Sequence, residues 1–156
     1  MIGNGIFIAN LVSTLFLVGL IWTIQIVHYR LFDRVGEQQF VRYESDHSRL
    51  ITPLVGPMML VELATAALLV LGLAPPWVPR SAAAVGLVAV VLIWLSTALL
   101  QVPCHSRLMQ GFDRDTYLFL VRSNWIRTAL WTGRGAWLTY LLWRGLQSLG
   151  PSPLES

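Results

Sequence analysis

The most constraining feature of this sequence is that its first charged side chain is Arg30. Residues 2–27 form one apolar run, long enough for a helix to cross the hydrocarbon core of a bilayer, which is about 30 Å thick. We expect this helix to be retained, because the run lacks a basic start and is too long for the apolar part of a signal peptide. Charged residues make up 12% of the whole chain, about half of what a soluble domain carries. Such a composition excludes a soluble fold and a disordered chain.

Three further apolar stretches follow the first. Residues 50–78 contain a single charge, Glu62, and residues 81–104 contain none, whereas residues 123–149 include three arginines. The sequence therefore predicts an all-α integral membrane protein, a four-helix bundle that forms one membrane domain over residues 1–156. The predicted spans are approximately 3–29, 48–72, 81–104 and 123–147.

The connections between these stretches predict the orientation of the chain. The second connection is short and Pro-rich, whereas the first and third are charged and contain helix starts at residues 36–40 and 113–117, with acidic residues in the first turn. Arg80 and Arg144 lie on the side of the second connection. Eight arginines lie on the side of the charged connections, namely Arg30, Arg34, Arg42, Arg49, Arg107, Arg114, Arg122 and Arg127. This excess predicts a multi-pass protein of the inner membrane, with both termini on the non-cytoplasmic side.

The net charge of +3 raises the question of partners. All eleven basic residues are arginines, but they form no basic run and no nucleic-acid motif. We therefore expect the lipid bilayer and an apolar small molecule as partners, and no nucleic acid. The sequence leaves a homo-oligomer open.

The chain also resembles itself at a shift of 77 residues. Residues 28–31 (HYRL) fall on residues 105–108 (HSRL). The separation of 19 residues between His28 and His47 recurs between His105 and Asn124. This pattern predicts two parallel two-helix repeats, formed by helices 1–2 and helices 3–4.

The repeat predicts one polar end of the bundle. His28 and His105 end the first and third helices there, while His47 and Asn124 begin the second and fourth. Imidazoles from several helices of a bundle, with one position left open, are typical of catalytic metal centres. We therefore predict that His28, His47 and His105 bind Cu, Fe or Zn, with Glu44 as a further ligand or as an acceptor for an imidazole N–H. The alternative is that the histidines only lie at the membrane interface and bind no metal.

The candidate catalytic residues are Glu62, Asn124 and Arg127. Glu62 lies about 22 Å beyond His47 along its helix, at a membrane depth where an ionised side chain is a functional hypothesis by default. It is interpreted as a proton-relay or substrate-binding carboxylate, or as the partner of Arg134 in a structural ion pair. Asn124 is interpreted as a metal ligand or a hydrogen-bond donor to substrate. For Arg127 the alternative is binding of a lipid phosphate.

Two further patterns lie on the helices. Gln25 and Gln101, about one turn deeper than the histidines, are expected to continue the polar face. Tryptophans recur every six residues in the last helix and therefore point to three faces. They are expected to anchor the helix at the interface or to face lipid, and they are Trp125, Trp131, Trp137 and Trp143.

These features together resemble a family of short, four-helix bacterial and fungal membrane proteins that includes the anthrone-oxygenase-like proteins. The resemblance rests on the length, the four spans, the polar end around His28 and residues 124–127 (NWIR) at the start of the last helix. Anthrone-oxygenase-like proteins oxidise polycyclic phenols without a known organic cofactor. The resemblance therefore implies oxidative chemistry, and it assigns no catalytic residue.

Three functions follow from these observations. The first is a metal-dependent membrane oxidoreductase that acts on an apolar substrate entering from the lipid. The second is a haem or quinone electron-transfer protein, which is disfavoured because the histidines lie at helix ends. The third is a non-catalytic membrane assembly subunit or a small transporter, in which the polar cluster holds the helices together.

Overall fold

The computed structural model describes residues 1–149 and shows four long helices. They are α1 (Ile2–Phe32), α2 (Glu37–Leu73), α3 (Arg80–Leu108) and α4 (Arg114–Leu149). No strand occurs within residues 1–149, so the all-α prediction is confirmed. Helices α2 and α4 begin well before the predicted spans, at the helix starts that the sequence predicts.

Local chemistry sets the ends of these helices. Asp113 precedes α4, and its Oδ2 atom accepts the backbone N–H of Thr116 at 2.8 Å. The hydrogen bonds from Thr116 hold the pKa of the Asp113 carboxyl below its usual value. Gly72 has φ +102°, a left-handed conformation that favours glycine, and it breaks the helical path at the end of α2. Three prolines lie in the α2–α3 connection and prevent the helix from continuing through it, namely Pro75, Pro76 and Pro79.

Two π-helical turns interrupt α1 and α3 near their carboxyl ends. They comprise Ile24–His28 in α1 and Thr97–Gln101 in α3. A π turn holds one residue more than an α turn and rotates the following side chains about the helix axis. These turns therefore determine where His28 and His105 point.

The four helices pack as a ring. Helix α1 packs against α2 and α4, and α3 packs against the same two helices. Buried apolar side chains form three clusters along the bundle. One cluster lies near the α2–α3 connection and contains Phe7, Leu11, Leu69, Val78 and Leu138; the middle one contains Leu17, Ile21, Met59, Ile93 and Trp131; the third contains Tyr29, Phe32, Phe40, Leu108 and Leu120.

Three of the helices are long and apolar enough to cross a membrane, namely α1, α2 and α3. Large apolar side chains are also exposed around the bundle, among them Leu15, Val88 and Leu99. Such a surface is compatible with contact to lipid and atypical of a soluble protein. Helix α4 is as long as the others, but its arginines lower its mean hydropathy.

The interpretation of the α4 tryptophans is wrong for one of them. Trp125 and Trp143 are exposed, as expected, but Trp131 is only 1% exposed and lies in the middle apolar cluster. Because a step of six residues turns the helix by about 600°, one of the three faces that carry tryptophan points into the bundle.

Candidate functional site

The three histidines of the chain lie together at the end of the bundle that contains the α1–α2 and α3–α4 connections. His28 ends the π turn of α1, His47 lies near the start of α2, and His105 lies in the last turns of α3. All three side chains are half-buried. Glu44 lies one turn before His47 and is fully buried. We refer to these four residues, together with Tyr29, as the histidine cluster.

Three short contacts hold this cluster together. His28 Nε2 lies 2.8 Å from His47 Nδ1. His105 Nδ1 lies 2.5 Å from Glu44 Oε1, and its Nε2 lies 3.1 Å from the Tyr29 hydroxyl. The rings of His47 and His105 are 5.5 Å apart between centroids, so the two contact pairs are neighbours. Helices α1, α2 and α3 thus meet through imidazole and carboxylate groups.

The His28–His47 and His105–Glu44 contacts each join two atoms that can bind either a proton or a metal ion. The His28–His47 contact requires one ring to donate and the other to accept, and the His105–Glu44 contact places an imidazole N–H against a carboxylate. Within residues 1–149, no group of three or more His, Cys, Asp or Glu side chains is arranged to hold a metal ion as it stands. As shown, therefore, the cluster is a hydrogen-bonded assembly, and its role as a ligand set stays a prediction.

The distance between the His28 and His47 nitrogens distinguishes a tetrahedral metal centre from a haem iron with two axial histidines. Tetrahedral Zn–N bonds of about 2.0–2.1 Å put two ligand nitrogens about 3.3 Å apart. The 2.8 Å between His28 and His47 is within about half an ångström of that value. Axial ligands on opposite sides of a haem iron would need about 4 Å between nitrogens, and this pair is too close for that arrangement.

A layer of amide side chains lies beneath the histidine cluster. Gln25 donates to the Val121 carbonyl of α4 and accepts from Asn124 Nδ2 at 2.7 Å. Gln101 donates to the Ser123 hydroxyl at 3.2 Å. Both glutamines are buried and continue the polar face inward, as the sequence predicts. Asn124 belongs to this layer and bonds to Gln25, while its Oδ1 atom is buried without a partner.

A cavity of about 370 Å³ opens beside the cluster, between α2 and α3. His47, His105 and Tyr29 form its polar end, and Arg127 of α4 contributes to its wall. The rest of the lining is mainly apolar and includes Ile24, Ile51, Val55, Met59, Trp94 and Val102. Its volume and its combination of an apolar wall with a few polar groups are typical of a small-molecule site.

Arg127 is buried in this wall without a counter-charge. The residue is 7% exposed, and its Nε atom has no hydrogen-bond partner. Within residues 1–149, it takes part in no salt bridge. Its guanidinium carbon lies 5.1 Å from the ring centroid of Trp131, which is a cation–π contact.

Glu62 and Arg134 form a second polar site, deeper in the bundle. Glu62 Oε1 accepts from Arg134 Nε at 3.0 Å and from the Thr14 hydroxyl at 2.7 Å. The other carboxylate oxygen, Oε2, accepts from Trp131 Nε1 at 3.0 Å. Arg134 also donates to Asn10 Oδ1 at 2.8 Å and to the backbone carbonyl of Gly86 at 2.5 Å, so all four helices contribute. The ion pair between Glu62 and Arg134 that the sequence suggests is therefore present. Its buried atoms are fully hydrogen-bonded, as expected of a structural pair.

Sequence reasoning missed several members of both sites. Tyr29 follows His28 directly but gives no signal of its own. Asn10 and Thr14, by contrast, are polar residues four apart within a charge-free run, and this spacing puts them on one helix face. That spacing alone would have indicated a buried partner for them.

Together, the fold and the sites define an all-helical protein with three helices long and apolar enough to cross a membrane, and with two polar sites inside the bundle. Searches found no family model, no characterised protein and no solved structure that matches this chain.

Proposed function

We propose that this chain is a membrane oxidoreductase in which a metal ion at the histidine cluster acts on an apolar substrate in the adjacent cavity. The observation that carries the proposal is the meeting of His28, His47, His105 and Glu44 from three helices in two short ligand-to-ligand contacts. The cavity reaches the same histidines, which is where a substrate would have to lie. The resemblance to anthrone-oxygenase-like proteins agrees with oxidative chemistry.

The proposed topology has four spans. Helix α4 has low hydropathy because of its arginines, but Arg127 and Arg134 are both buried inside the bundle and are not exposed to lipid. A helix whose charges face inward is compatible with a membrane span. The arginine excess on the side of the charged connections supports an inner-membrane protein with both termini on the non-cytoplasmic side, and the matching residues 28–31 and 105–108 support two parallel repeats.

The proposed metal is copper or iron, because Zn²⁺ has no redox chemistry of its own. The residues of the chain would orient and insulate it. The Tyr29 hydroxyl contacts Nε2 of His105 and so fixes the orientation of that ring. Glu44 contributes a buried carboxylate whose Oε2 atom has no hydrogen-bond partner and is available as a ligand. The apolar wall of the cavity keeps water from the reacting substrate.

The test is metal content with a matched pair of variants. The full chain is purified in detergent, and elemental analysis and a visible spectrum are recorded. We expect about one Cu or Fe per chain in the wild type and loss of the metal in His28→Ala and His105→Ala. In Glu44→Gln we expect the metal affinity to fall by more than about 10- to 100-fold, which is the cost of losing a group that only supports a ligand. Glu37→Gln, an exposed acid on the same helix, should retain the metal.

Two outcomes contradict the proposal. A folded wild-type protein with neither metal nor visible absorption would leave a non-catalytic role, such as an assembly subunit. A strong Soret band would indicate haem instead, and would require the His28–His47 pair to separate.

A further inference from the structure

We infer that the cavity beside the histidine cluster binds an amphipathic anion, with a carboxylate head against Arg127 and an apolar tail between α2 and α3. As the substrate of the proposed oxidoreductase, this ligand would be apolar except for its head group, and that role rests on the proposed function. Its binding does not, because Arg127 and the cavity are present whether or not a metal binds.

Two buried arginines on one helix differ in how their charge is balanced. Arg127 and Arg134 are seven residues apart, about two turns, and lie on the same side of α4. The guanidinium of Arg134 donates to Glu62, Asn10 and the Gly86 carbonyl. Arg127 is buried almost as completely, yet it forms no salt bridge within residues 1–149. Burial of an unpaired charge is costly, so the bundle supplies Arg134 with acceptors and leaves Arg127 to obtain one from elsewhere.

A second residue of the cavity lining also carries a donor without an acceptor. The indole Nε1 of Trp94 is buried and unpartnered, and Trp94 lines the same cavity as Arg127. Arg127 and Trp94 both line the cavity and both keep an N–H without an acceptor, which favours a ligand with acceptor oxygens. The cation–π contact with Trp131 balances the charge of Arg127 only in part.

The shape and charge of the cavity select the class of ligand. A guanidinium matches the two oxygens of a carboxylate or phosphate better than any single neutral acceptor. The rest of the wall is mainly apolar, with Ile51, Val55 and Met59 on α2 and Val102 on α3. A cavity of about 370 Å³ suits a single-chain molecule better than a two-chain phospholipid. A fatty acid has the required head and tail, and an anionic phospholipid has the same head chemistry.

The test compares two ligands that differ only in the head group. The full chain is placed in phosphatidylcholine nanodiscs, and the binding of palmitate and of hexadecanol is measured by titration. We expect palmitate to bind about 10- to 100-fold more tightly, since a hydrogen bond to a charged group is worth that ratio. Repeating the titration in discs that contain phosphatidylglycerol tests whether an anionic phospholipid occupies the site. If this lipid occupies the site through its phosphate, the apparent affinity for palmitate falls, and Arg127→Gln removes that competition.

Variants of two arginines on α4 identify the contact. Arg127→Gln should abolish the preference for palmitate over hexadecanol, whereas Arg127→Lys, which keeps the charge, should retain part of it. Arg122→Gln removes an exposed arginine from the same helix and should leave the preference unchanged. Helicity is recorded by circular dichroism for each variant. If Arg127→Gln does not fold, the preference for palmitate over hexadecanol is compared between Arg127→Lys and the wild type.

Equal affinity for the two ligands in the wild type would overturn the inference, as would equal effects of Arg127→Gln and Arg122→Gln. The result is separable from the metal measurement. Palmitate binding that depends on Arg127 in a metal-free protein would support the anion site and refute the oxidoreductase. A metal-bound protein that binds palmitate and hexadecanol equally would support the oxidoreductase and refute the anion site.

Discussion

Replacing Arg134 by methionine should destabilise the bundle far more than the same replacement at Arg144. The Arg134 side chain is 1% exposed and its partner Glu62 is 0% exposed. Arg144 is exposed on the same helix and makes one hydrogen bond, to the Tyr140 hydroxyl at 3.3 Å. The two substitutions are thus chemically identical and differ in the surroundings of the side chain.

The magnitude follows from the contacts that are lost. Without Arg134, Glu62 keeps only the donors Thr14 and Trp131, and Asn10 Oδ1 loses its guanidinium partner. Removing one partner of a buried ion pair costs about 3–5 kcal/mol, because the other charge stays buried. An exposed substitution such as Arg144→Met changes the free energy of unfolding by about 0.5 kcal/mol or less.

The assay is reversible unfolding in mixed detergent and dodecyl sulfate micelles, followed by circular dichroism. The double variant Glu62→Gln/Arg134→Met should be less destabilised than the sum of its single variants, with a coupling of about 0.5–3 kcal/mol. The reasoning is refuted if Arg134→Met costs no more than Arg144→Met, or if the two single effects at Glu62 and Arg134 simply add.

Two further outcomes are expected in other parts of the bundle. A Cβ atom at Gly86 would lie 2.8 Å from Arg134 Nη1, so Gly86→Ala should lower the unfolding midpoint in the same assay; Gly133→Ala, with nothing within 4 Å, should not. The folded pKa of Asp113 is lowered by Thr116, so its contribution to stability is present above its unfolded pKa and is lost as the pH falls through its folded pKa. Hydrogen exchange of the first-turn amides of α4 should therefore report weaker protection in acid, and Asp113→Ala should remove that dependence.

The coarse fold could be predicted because it depends on long patterns. Four apolar stretches and two acidic helix starts determine four helices, and the structure contains them. The all-helical class is confirmed, and α1–α3 are long and apolar enough to cross a membrane. The repeat remains a proposal, since sequence similarity at residues 28–31 and 105–108 does not determine how the helices pack. The fourth span remains a proposal because the arginines of α4 lower its mean hydropathy.

The sites were harder to predict because they depend on side-chain direction. Helix ends place His28, His47 and His105 at one level, and the structure brings them together. Their pairing depends on the π turns of α1 and α3, which no periodicity of the sequence reveals. Asn124 donates to Gln25, one layer below the histidines. Burial of Trp131 was missed because an aromatic residue in a membrane helix suits lipid and core equally well.

The distribution of donors and acceptors around Arg134 has a consequence for biosynthesis. Its acceptors belong to α1, α2 and α3, which leave the ribosome before α4 does. An arginine at mid-helix opposes insertion by about 2.5–3.5 kcal/mol, so α4 inserts poorly by itself. In the proposed four-span topology, α4 enters last and its guanidinium meets acceptors that are already in place. Assembly of the bundle is then coupled to integration of its last helix, and a chain that lacks Glu62 should accumulate with α4 outside the membrane.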